Sequence, residues 1–168
     1  MRLVVTDANI IIDLDAGGLL EEIFRLQSME FCTPDVLYLE ELAEQYGALP
    51  ALGLKVLSQP PEAVEYVTQL RPRYRGPSTN DLFALALARA LGCALLSGDG
   101  SLRAAANAEG VMVHGTIWLI EALLNARLVQ VERVAIAYDA MRRDGSRLPW
   151  GEVEAQIQRW RRTGPLRE

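Results

Sequence analysis

The chain has 168 residues, half of them hydrophobic, with 22 acidic and 17 basic side chains and a formal net charge of −5. That length suits one domain with room for a small helical appendage, and the apolar content excludes wholesale disorder. The acidity counts against a nucleic-acid partner only weakly, because an acidic metal site would itself supply several of the negative charges.

The predicted elements alternate between strand and helix. Arg2–Thr6 (RLVVT) reads as a short buried strand ending on Asp7. Helical segments follow over about 9–14 and 19–26, then a short strand at 30–33. Pro34 opens a helix that runs to about Tyr46, where Gly47 stops it. A strand over 54–58 precedes Pro60-Pro61 and a helix near 62–70. Residues 71–78 (RPRYRGPS) are a loop. Thr79 is the predicted cap of a long helix to Leu91, whose Leu82, Leu85, Ala86 and Ala90 share one face. Residues 93–97 (CALLS) form the next strand, ending in Gly98-Asp99-Gly100. A helix from Ser101 to Ala108, a strand at 111–113 and a helix from Gly115 to Asn125 complete the core. Strands separated by helices imply an α/β fold with parallel pairing and right-handed crossovers. The expected division is 1–125 for this core and 126–168 for a C-terminal helical extension, with helices at 131–141 and 150–160 packed on the core or on a partner.

The only two cysteines, Cys32 and Cys93, fall in predicted buried strands without a CxxC pattern, which favours a reducing, cytoplasmic setting. The N-terminal stretch carries Asp7 and Asp13 too early for a signal peptide. The longest apolar region, 82–96, is interrupted by Arg89 and Gly92, so no membrane span is expected.

Asp7 and Asp99 each stand where an apolar run breaks into a turn. In an open parallel sheet, chemistry gathers beyond the carboxyl ends of the strands. Asp81 at a helix start and Glu41 inside another helix bring the acids available to one cleft to four. Each has an ordinary structural role open to it: Asp ends strands and caps helices, and glutamates decorate helix surfaces. Their joint placement points further. Two carboxylates about 6 Å apart repel by about 3 kcal/mol at an effective dielectric of ~20. A converging set must hold protons at raised pKa or hold a divalent cation, the usual construction of a Mg²⁺ or Mn²⁺ site that cuts phosphodiesters.

Other chemistries fit poorly. His114 is the only histidine, which disfavours a Ser–His–Asp triad or a His-based zinc site. There is no GxxxxGK[ST] loop, and no GxGxxG follows a strand. Asp13-Leu14-Asp15 resembles the DxD of haloacid-dehalogenase-type phosphatases, but it sits in a predicted helix, and Lys55 is the only lysine.

The segments Val5–Leu14 (VTDANIIIDL), Glu41-Leu42, Thr79–Leu82 (TNDL) and Leu95–Asp99 (LLSGD) resemble, in order and spacing, the four motifs of the PIN-domain family. Val113–Thr116 (VHGT) resembles the segment after the family's last acid, and Met141–Trp150 resembles the C-terminal extension of one bacterial and archaeal subgroup. The resemblance implies a Rossmann-like three-layer α/β/α sandwich and a Mg²⁺- or Mn²⁺-dependent ribonuclease. Asp7, Glu41, Asp81 and Asp99 would be its catalytic acids, with Asp7, Asp81 and Asp99 holding the metal. Asn9, Thr79 and Ser97 would orient carboxylates or water. Glu40 fits the distance from Pro34 slightly better, but Glu41 fits the Glu-Leu pairing and is preferred. RNA is the implied substrate, with Arg71, Arg73 and Arg75, or arginines of the tail, gripping its backbone. Relatives of the VapC toxin type also bring an antitoxin and homodimerisation into view. A PIN-like binding module with little catalysis and a DNA structure-specific nuclease are the rival readings.

Overall fold

The computed structural model describes residues 1–164, so the last four residues of the expected extension lie outside it. Its centre is a sheet of five parallel strands: β1 (Arg2–Thr6), β2 (Met29–Pro34), β3 (Lys55–Leu57), β4 (Ala94–Leu96) and β5 (Val113–His114), in the order β3-β2-β1-β4-β5. Val4 and Val5 of β1 and Leu95 and Leu96 of β4 are fully buried, the continuous apolar pattern of strands covered on both faces.

α6 (Thr79–Leu91) crosses β1, β2 and β4, flanked by α5 (Pro61–Leu70) and α7 (Gly100–Ala108). α1 (Ala8–Ala16), α2 (Leu20–Ile23) and α8 (Thr116–Asn125) pack together as the other helical layer. The fold is thus a three-layer α/β/α sandwich. Chain direction across the sheet reverses between β1 and β4, so the crevice at their carboxyl ends is the topological switch point where ligands settle in such sheets.

Four local expectations are corrected. The helix after β2 is short: α3 (Asp35–Leu37) passes into a π-helical stretch, Tyr38–Leu42, closed by Ala43 N–H to Tyr38 O at 2.7 Å, and a single turn, α4 (Leu49–Leu52), precedes β3. The helix after β2 therefore ends before Tyr46, which instead donates its hydroxyl to Asp15 Oδ2 at 3.1 Å. The N-cap of α6 is Ser78 rather than Thr79. β5 begins later than Val111, because the Val111 N–H is taken by Ala106 O at the end of α7. Cys93 is half-buried and precedes β4, whereas Cys32 is buried within β2.

The last two helices are α9 (Val131–Arg143) and α10 (Trp150–Thr163). α9 lies on α1, and α10 on α8 and α9, with Tyr138, Met141 and Trp160 entering the same buried cluster as the sheet. At Gly17 a Cβ would stand 2.6 Å from Met141 Cε and 3.3 Å from Ala137 Cβ. Gly17→Val should therefore cost about 1–3 kcal/mol by overpacking. Gly151→Ala, with open space around its Cβ, should be neutral or slightly stabilising. Thermal melts of the two variants test the pair.

Candidate active site

β1 and β4 pair with Thr6 opposite Leu96, so Asp7 and Ser97 come level one step beyond the ladder. The Asp7 N–H donates to Leu96 O at 3.0 Å. Its Oδ1 caps α1 by accepting the Ile10 N–H at 3.0 Å. Asp7 is fully buried, and its Oδ2 has no hydrogen-bond partner. Burial pushes this carboxyl up to about 7; the Ser97 hydroxyl and Ile10 N–H pull down, and the charges of Asp81 and Asp13 push up. The Ser97 hydroxyl acts without closing a well-formed bond to Oδ2.

Asp99 follows β4 and caps α7. Its Oδ1 accepts the Ser101 hydroxyl at 2.5 Å and the Leu102 N–H at 2.8 Å. The Ser101 bond, first of these effects, holds its pKa below the usual carboxylate range. Its own N–H donates to Ser97 Oγ at 3.1 Å. The buried Ser97 thus stands between the two strand-ending acids.

Asp81 belongs to the first turn of α6. Ser78 Oγ accepts the Asp81 N–H and Asp81 Oδ2 accepts the Ser78 N–H, both at 3.0 Å, a reciprocal capping box. Glu41 sits in the π-helical stretch, a distortion that often marks functional sites. Burial raises its pKa, Asn80 lowers it, and the Asp81 and Glu40 charges raise it again. Asn80 Nδ2 donates to Glu40 Oε2 at 2.8 Å, tying the start of α6 to this stretch. Asp81 therefore acts electrostatically on both Asp7 and Glu41.

The four acids share the carboxyl end of the sheet but form no closed cage. Among the described residues, no group of three or more His, Cys, Asp and Glu side chains is drawn together as a ready metal site. Much of their hydrogen-bonding capacity is spent on helix starts.

Asn9 lines an open cleft with Asp13, Asp99, Asp144, Ser146 and Arg147. Thr79 is exposed beside the Ser78 cap. Two of the three loop arginines are engaged within the protein. Arg71 Nη2 donates to Tyr74 O at 2.7 Å, and Arg73 pairs with Glu109 at 3.0 Å, at the end of α7 remote from Asp99. Arg75 is exposed.

Three contributors escaped the sequence reading. Ser78 was visible as Ser-x-x-Asp ahead of an apolar run. Asn80 lies inside the TNDL segment, where nothing local gives it a role. The third is a clasp in which the Ser146 hydroxyl donates to Asp13 Oδ1 at 2.7 Å across 133 residues. It brings the turn between α9 and α10 to the edge of the cleft, and nothing local announces it.

A family model for the PIN domain matches residues 3–162. The chain belongs to the PIN-domain family. The crystal structure of PAE2754 from Pyrobaculum aerophilum is similar in fold, with a TM-score of 0.51 and 18% identity, covering 72% of this chain and 96% of that one. No curated protein matches significantly. PIN domains are generally nucleases and typically use divalent metals. The donor chemistry of this PIN domain suits such an ion. The donors are all hard carboxylate oxygens, and Asp7 Oδ2 is buried without a partner. Mg²⁺ retains several waters and needs only one or two protein carboxylates, so a closed cage is not required.

Proposed function

We propose that this PIN domain is a Mg²⁺- or Mn²⁺-dependent endoribonuclease acting at the carboxyl end of β1 and β4. The observation that supports this most is Asp7, a fully buried carboxyl with one unpartnered oxygen and a second acid, Asp81, raising its pKa. Asp7, Asp81 and Asp99 would hold the metal. When bound, the metal supplies neutralisation of phosphate charge and a lowered pKa for water.

The chain's own residues do the rest. Ser97 fixes the Asp99 backbone and faces Asp7, so one hydroxyl keeps both strand ends in register. Glu41, its pKa raised first by burial, is a stronger proton acceptor than an ordinary glutamate. Asn9, exposed on the cleft, can donate to a phosphate oxygen. Of the three loop arginines, Arg75 alone lacks a protein partner among the described residues, so it is the one suited to a phosphate.

A single-stranded RNA should be cut in the presence of Mg²⁺ or Mn²⁺ and spared in chelator. Asp99→Asn should slow cleavage by at least ~10²-fold, the order seen when one electrostatic group of an active site is lost. DNA of the same sequence separates a ribonuclease from a DNA enzyme. Equal activity in the Asp99 variant and wild type overturns the assignment. Cytoplasmic residence, pairing with an antitoxin and homodimerisation form a further part of the proposal. The antitoxin and the homodimer rest on the VapC-type toxins among the family's members, and cytoplasmic residence on the two cysteines without a disulfide pattern; co-purification with the product of an adjacent reading frame tests the antitoxin.

A further inference from the structure

Beside the acidic cleft lies a second cavity of about 640 Å³. It sits between the end of β5, the first turns of α8 and the start of α10, and Gly98 and Arg147 line both it and the cleft. Its volume falls within the range of small-ligand pockets. Three features of its wall converge on one ligand chemistry. His114 and Trp118 are stacked with ring centroids 4.0 Å apart and planes within 5°, and both are half-exposed. Arg103 and Arg147 bring guanidinium groups that have no carboxylate partner among the described residues. Thr116 also lines the cavity; its side chain is buried, and its hydroxyl has no hydrogen-bond partner.

Flat π surface next to cationic forks is the combination that binds single-stranded nucleic acid. Bases stack on aromatic rings while arginines track phosphates. The position of Arg103 is built in. Its Nη1 donates to Ser97 O at 2.9 Å, so the residue that faces Asp7 and Asp99 also anchors this guanidinium. A Cβ at Gly115 would lie 2.9 Å from Arg103 Nη1, so the absence of a side chain there leaves the guanidinium its place. Arg147 hangs from the turn that Ser146 clasps to Asp13. Of the two acidic residues in the wall, Glu121 is already engaged by Arg159, Gln156 and Trp160, so the exposed Glu152 alone stands against the two guanidinium groups.

We infer that this cavity is a nucleotide subsite of the RNA strand, holding one base against the His114–Trp118 stack while Arg103 and Arg147 carry the phosphate towards the acids. The inference rests on the nuclease reading and deepens it. It makes the C-terminal hairpin part of substrate binding.

The test is binding rather than cleavage. A fluorescein-labelled single-stranded 12-mer RNA is titrated with the full chain in EDTA at 50 mM salt, and anisotropy is read. Trp118→Ala should weaken binding about tenfold, the order expected for one lost base stack, and Trp118→Phe should restore most of it. Arg147→Ala, at an exposed position, should weaken binding and lower the dependence of log K on log salt by roughly 0.7. If both Trp118→Ala and Arg147→Ala bind as wild type does, the subsite is wrong and the acidic site stands. If wild type binds no RNA in EDTA, the subsite falls, and the Mg²⁺-dependent cleavage assay decides the nuclease reading separately. Saturation of tryptophan fluorescence by free adenosine monophosphate that the RNA does not compete away would overturn the strand assignment in favour of a free-nucleotide site.

Discussion

Asp7→Asn is expected to abolish metal-dependent cleavage and, in chelator at pH 8, to raise the melting temperature. The two effects have one source. In the folded chain the Asp7 carboxyl is raised from 3.8 to about 7. Between about pH 4 and pH 7 the native state therefore keeps a proton that the unfolded chain has released, so stability falls as pH rises through that interval and levels off above it. At 1.36 kcal/mol per unit, the ionised, metal-free Asp7 costs on the order of 4 kcal/mol at pH 8. Asparagine keeps the shape and the Oδ1 acceptor for the Ile10 N–H while removing the charge. The variant should gain on the order of 10 °C in Tm at pH 8 and little at pH 4. Millimolar Mg²⁺ should stabilise wild type at pH 8 and leave the variant unmoved. Calorimetry at two pH values with and without Mg²⁺ reads all of this. Loss of stability in Asp7→Asn at pH 8 would mean that the buried carboxyl is better accommodated than its unpartnered oxygen indicates.

The second large effect lies in the tail. Gln156 is buried between α8, α9 and α10. It accepts the Tyr138 hydroxyl at 2.5 Å and donates to Ile117 O at 3.1 Å and Glu121 Oε2 at 2.8 Å. Burial pushes the Glu121 carboxyl up, but Arg159, Gln156 and Trp160 outweigh it and hold it below the usual range. Gln156→Leu fills the same space, leaves the Tyr138 hydroxyl without its acceptor and takes a donor from the Glu121 carboxylate. Buried groups left unpaired cost about 1–3 kcal/mol each, so a loss of about 2–4 kcal/mol and ~5–15 °C in Tm is expected. Tyr138→Phe, which removes a single donor, should cost only about 1 kcal/mol. Amide exchange should show the loosening confined to α8–α10, with the β1 and β4 amides still protected. Uniform loss of protection would show instead that the hairpin and sandwich unfold as one unit.

The parts of the fold that were legible in the chain are those where local pattern and tertiary need agree. β1 and β4 are apolar runs broken by acid, and α6 carries an apolar face that ends at Gly92 in the left-handed conformation. Prediction slipped where a tertiary contact reassigned a local signal. The Pro34 helix start was real, yet Asn80 reaching Glu40 and Tyr46 reaching Asp15 accompany a π-helical turn that no periodicity encodes. The Arg71–Arg75 cluster looked like a phosphate grip. Glu109, at the far end of another helix, collects Arg73 together with the Tyr66 and Tyr74 hydroxyls. Asp7 and Asp99 were readable because a strand must stop somewhere visible. The clasp of Ser146 on Asp13 was not, because its partners are joined only by the folded shape.

Three of the acids have a second occupation: Asp7 and Asp99 start α1 and α7, and Asp81 closes the box at the start of α6. A descendant with no catalysis at all would still need an oxygen acceptor at those places to begin its helices. Finding a polar side chain there in some other chain therefore says little about whether it retains the reaction. The informative difference is the charge itself, an aspartate against its own amide, since a helix start is satisfied by either.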